Sequence, residues 1–118
     1  MSVTRIAISE KSFGPITTEN DYDAATDSTL KRGKNFKIAL KNTDLANGLT
    51  YQVMAKRVTG GSLEQEIVAP AALAADTLVN LADIAGPWAE VTVRVKSTVV
   101  DTPATLVMES IHEPAVNL

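Results

Sequence analysis

The sequence predicts an all-β fold, a single antiparallel β-sandwich or small barrel of about seven strands with an irregular N-terminal segment. Three observations carry this. Ala89-Glu90-Val91-Thr92-Val93-Arg94-Val95-Lys96 alternates apolar and polar residues, most of the apolar ones β-branched, which is the pattern of a strand with one buried face. Further alternating runs are separated by turn signals, Asn47-Gly48 and Thr59-Gly60-Gly61-Ser62. The chain has 118 residues, 45% of them hydrophobic and none cysteine, so one domain spanning 1–118 must stand on packing alone.

The individual elements follow from parity. Near the N-terminus Thr4, Ile6 and Ile8 share one side and mark a first strand. Residues 9–34 read as an irregular loop or arm, with Gly14, Pro15 and many Thr, Asp and Asn. Phe36, Ile38 and Leu40 line one side of the next strand, and Leu49, Tyr51, Val53 and Ala55 one side of the third. Leu63-Glu64-Gln65-Glu66-Ile67-Val68 then returns antiparallel across the glycine turn. In 69–85 the alanines favour helix, but Pro70 and Thr77-Leu78-Val79 favour a linker feeding a short strand. Pro103 to Ile111 supplies the last strand, followed by a tail over 112–118.

Leu81-Ala82-Asp83-Ile84-Ala85-Gly86-Pro87-Trp88 turns directly into the clearest strand and ends on a large aromatic. This stretch resembles the corner before the penultimate strand of immunoglobulin-like and fibronectin-type domains. It departs from the antibody pattern, since both cysteines are missing and Trp88 stands where a tyrosine is expected. The resemblance implies an architecture and no activity.

The candidate chemistry is sparse. His112 is the sole histidine and lies beside Glu113-Pro114, so it reads as a packed or solvated strand-end residue more readily than as a catalytic base. Asp21, Asp23 and Asp27 resemble the start of a calcium loop, but Ala25 and Arg32 occupy two positions that should supply ligands. Glu64 and Glu66 share a strand face, a spacing that paired carboxylates could use on a glycoside, without a rim of aromatic residues to hold a sugar. Lys31, Arg32, Lys34, Lys37 and Lys41 form a basic block whose alternating members, Lys37 and Lys41, suit the solvent face of a strand. The five aromatic residues are too few for a stacking platform. The expectation is therefore no catalytic residue, no metal, no cofactor and no enzyme.

A net charge of −3 argues against nucleic acid as the main partner. No apolar run approaches the roughly 18 to 20 residues of a membrane span, and the start at Met1-Ser2-Val3-Thr4-Arg5 lacks the apolar stretch of a signal peptide. If Met1 is the native start, the chain is expected to fold in a cytoplasm, unlike most disulfide-bonded immunoglobulin-like domains. In size, alanine and threonine content and strand-rich pattern it is similar to the virion proteins of tailed bacteriophages, which fold in the host and then act on the particle. That resemblance implies a capsid decoration or cement protein, located on the virion. Its expected partners are other virion proteins such as the major capsid protein, or further copies in an oligomer or lattice. Phe13, Ile16, Tyr22, Val116 and Leu118 are the expected apolar anchors of that interface. The alternatives are a tail or connector protein, or a β-sandwich module that binds carbohydrate or a cell surface.

Overall fold

Alternation fixes where strands form, and the ladder hydrogen bonds between them fix their order. The computed structural model describes residues 6–16, 29–97 and 104–114. They form β1 (Ala7–Ile16), β2 (Thr29–Asn42), β3 (Leu49–Lys56), β4 (Glu64–Leu73), β5 (Thr77–Asn80), β6 (Trp88–Ser97) and β7 (Ala104–Pro114). All neighbours are antiparallel, in the order β1-β7-β2-β6-β3-β4, with β5 also on β2.

The long strand β2 serves two layers. Its first residues, Thr29 to Gly33, pair with β6, while Ala39 to Asn42 pair on that same edge with β5. Between them Phe36 exchanges backbone hydrogen bonds with Ile84, at 2.9 and 3.0 Å. The opposite edge of β2 pairs with β7 from Gly33 to Asn42. One layer is therefore β1-β7-β2-β5 and the other β2-β6-β3-β4. This is the strand order of a jelly roll in which one strand belongs to both sheets. In the immunoglobulin-like order the first strand lies beside the second; here β1 lies beside β7.

The two inner faces cover each other. Val91, Val93 and Val95 of β6, Leu49, Val53 and Ala55 of β3, Phe36 and Leu40 of β2, and Leu106 and Met108 of β7 are all essentially inaccessible and form one cluster. With no helix among the described residues, only the opposing part of the sheet can shield them.

Two features join the layers. Gly33 lies opposite Pro114 on one side and Trp88 on the other, and a Cβ there would sit 2.3 Å from the backbone oxygen of Glu113. Beside it the β2–β7 register shifts between Lys34 and Lys37, where Asn35 has a φ of 54°. The bulge lies between Gly33 and Phe36, both of them buried. At the far end of β2 the buried Asn42 donates to the carbonyls of Asn47 and Leu73, at 2.8 and 3.2 Å. Asp44 accepts from the amides of Ala46 and Asn47. These bonds turn the chain over the end of the sandwich, so β2 and β3, flanking the Asn47-Gly48 signal, are not ladder partners; β6 lies between them.

Several expectations need correction. Residues 9–16 and 29–34, expected as irregular, belong to β1 and β2, because their backbone groups find partners on β7 and β6 that sequence spacing does not show. The expected tail 112–118 begins too early, since β7 runs to Pro114 opposite Gly33. The strand β4 continues through Pro70 to Leu73, which an edge strand permits because a missing N–H there interrupts no ladder on its open side. The first strand lies where the parity of Ile6 and Ile8 marks it, and these two side chains are exposed.

Candidate functional site

That exposure defines the most distinctive surface. Opposite residues on antiparallel strands share a face, so the register writes three rows across the outer side of β1, β7, β2 and β5. The first is Ile8, Ile111 and Lys37; the second Glu10, Glu109, Ala39 and Asn80; the third Ser12, Val107, Lys41 and Leu78. Ile8 is 77% exposed and Ile111 41%, with Ile6 at the end of that apolar row; Leu78, 58% exposed, lies apart from them in the third row. A hollow of about 500 Å³ lies over Ile8, Glu10, Lys37, Glu109 and Ile111. Lys37 pairs with Asp83 at 3.0 Å and Lys41 with Asp76 at 3.5 Å, so these two lysines of the basic block do form the solvent face as expected. Such exposed pairs contribute little stability.

Glu10 and Glu109 face each other in the middle of this surface. The hydrogen bond and the negative charge of Glu10 hold the Glu109 carboxyl above its ordinary value. Between pH 4.5 and that raised value the native chain keeps a proton that the unfolded chain has released, so stability falls as pH rises through the window.

His112 behaves oppositely. It is buried, stacked on Phe36 with ring centroids 4.9 Å apart, and both its nitrogens lack hydrogen-bond partners among the described residues. Burial lowers its pKa from 6.5, so below that value the unfolded chain binds a proton that the native chain refuses, and stability falls as pH drops. A ring held this way packs the strand end and has no partner to orient it as a base. Replacing Glu109 with Gln should abolish the loss of stability on raising the pH above 4.5 and leave the loss below 6.5 intact. Denaturant midpoints across roughly pH 4 to 8 check this, and identical profiles for variant and parent would contradict it.

Glu64 and Glu66 do share the outer face of β4, but each has its own partner. Glu64 takes Arg94 at 2.8 Å and Glu66 accepts from Gln52 at 2.7 Å. Among the expected interface residues, Phe13 and Ile16 lie in β1 opposite Leu106 and Ala104 of β7, on a strand and not on an irregular arm. Tyr22, Val116 and Leu118 lie outside the described residues, as do Asp21, Asp23 and Asp27. Among the described residues no three His, Asp or Glu side chains converge as a metal site, and no helix is long and apolar enough to cross a membrane.

A second hollow, of about 560 Å³, lies where β6 begins, lined by Arg32, Arg57, Gly86, Pro87, Trp88 and Ala89. The Arg57 guanidinium lies 5.8 Å from the Trp88 ring centre, within range of a cation–π contact. Sequence reading treated Trp88 as a corner aromatic and passed over Arg57. No sequence signal joins them: the Gly33–Trp88 pairing brings Arg32 to the start of β6, and the Lys56–Glu90 pairing brings Arg57 there.

No protein-family model matches the chain, and no curated protein matches it. Two solved structures are similar in outline. The crystal structure of PirA is 11% identical, covering 92% of this chain and 83% of its own, with a TM-score of 0.49. The crystal structure of the Yersinia pseudotuberculosis-derived mitogen is 13% identical, covering 98% of this chain and 91% of its own, with a TM-score of 0.48. At these identities and scores neither bears on what this chain does.

Proposed function

We propose that the chain is a non-enzymatic structural component of a tailed-bacteriophage particle, a decoration or cement protein that binds the major capsid protein. The observation that supports this reading is the outer surface of β1-β7-β2-β5. Exposed Ile6, Ile8 and Ile111 form a small apolar strip beside Glu10, Glu109 and Lys37, apolar area within charged groups of the kind that docks on another protein. β1 ends the strand order, so its outer edge offers backbone groups for strand addition by a lattice neighbour. Phe13 and Ile16 on that strand, with Tyr22, Val116 and Leu118, remain the proposed apolar anchors. Viral capsid and lectin domains use jelly rolls, an analogy of architecture only.

The test is quantitative mass spectrometry of purified particles from cells expressing either the parent or the double variant Ile8→Ser/Ile111→Ser. Both positions face solvent, so the variant should stay folded, its stability within about 0.5 kcal/mol per site. Its incorporation should nevertheless fall well below the parent's. A folded variant incorporated as well as the parent would remove this surface from the proposed interface.

A further inference from the structure

We propose that the hollow at the start of β6 is a binding site for a small organic anion, a carboxylate or phosphate group carried on a flat body. Arg32 comes from β2, Arg57 from just beyond β3, and Gly86-Pro87-Trp88 from the corner that opens β6. Each supplies a guanidinium cation with a planar fork of N–H donors. Among the described residues neither has a carboxylate partner: the three ion pairs use Lys37, Lys41 and Arg94, and Arg57 makes only its contact with Trp88. Two arginines without a carboxylate partner among the described residues line one hollow and present planar donor forks, the arrangement that a carboxylate or phosphate meets with two or more charge-assisted hydrogen bonds.

The neutral half of the site is the half-buried Trp88 ring with Pro87 and Ala89 beside it. A Cβ on Gly86 would come within 3.8 Å of the indole Nε1, so the glycine leaves that edge of the ring uncovered. The volume, about 560 Å³, falls in the ordinary range for small-molecule sites. An anion alone would answer the arginines but take up little of the apolar lining of Pro87, Trp88 and Ala89, whereas a neutral sugar or base would leave the charges unanswered. Both a uronic acid and a nucleoside monophosphate join the two chemistries, and they are the two possible sources. The site stands apart from the β1-β7-β2-β5 surface and does not rest on the virion reading.

Trp88 is the only tryptophan, so its indole N–H signal in an NMR spectrum of the labelled full chain reports on this site alone. Titration with glucuronate and with uridine monophosphate should give a saturable shift in at least one arm, and that arm identifies the source. The matched neutral compounds, glucose and uridine, should bind more weakly by about tenfold or more, as should the effective ligand to the Arg32→Ala and Arg57→Ala variants. Unchanged dispersion of the amide spectrum shows that these exposed substitutions leave the fold intact. Failure of both arms to saturate would overturn the proposal, as would neutral compounds matching the anions. Inorganic phosphate matching both organic anions would overturn the role of the ring.

Discussion

Replacing Val93 with Asp should unfold the domain. Val93 is 1% exposed on β6, directly opposite Val53 of β3, which is fully buried, and it belongs to the central cluster. A carboxylate there has no cation within the cluster, so it must either stay charged without water or take up a proton at neutral pH. The cost is several kcal/mol, comparable to the roughly 5 to 15 kcal/mol that holds a small domain together. Loss of the cooperative thermal transition is the expected result. A variant that melts like the parent would show that β6 does not turn this face inward.

Replacing Gly33 with Ala should destabilise the fold by about 3 kcal/mol, near the upper end of what added volume costs in a packed interior. The added methyl would lie 2.3 Å from the Glu113 carbonyl oxygen and 2.7 Å from His112 Cδ2. The first obstacle is backbone, so relief requires β7 to move away from β2. That movement would loosen the stacking of His112 on Phe36 as well as the ladder around Pro114. Denaturant unfolding measures the effect, and a midpoint equal to the parent's would contradict so close an approach of the two strands.

These two positions also mark what the sequence could and could not disclose. The face of β6 was legible because alternation is a local property, and Val91, Val93 and Val95 repeat it without interruption. The same holds for β3, while the short strand at Thr77 was legible only from its β-forming residues. Gly33 carried no such signal, since Lys31-Arg32-Gly33-Lys34 alternates nothing and its strand character comes from partners 55 and 81 residues away, Trp88 and Pro114. The irregularity around Asn35 hid it further, because it interrupts the β2–β7 register beside Gly33. The alternation of Ile6 and Ile8 was read correctly as a strand, but parity alone does not say which side faces the core, and here that side is exposed.

The candidate surfaces were less legible than the strands. Ile8, Ile111, Lys37 and Leu78 lie on four different strands, and only the register of β1, β7, β2 and β5 brings them together. Arg32, Arg57 and Trp88 likewise meet because β2 passes from one layer to the other at Gly33. Residue type suggested partners for none of them, since isolated arginines and isoleucines are common on any surface.

The measurement that tests the central reading most directly is the amount of the unmodified chain in purified particles. A structural component of a capsid lattice must be present in a fixed ratio to the major capsid protein, set by the symmetry of the shell. The account predicts such a ratio, constant between preparations and retained through washing at high salt. Absence of the chain from particles, or amounts that vary freely with expression level, would contradict it.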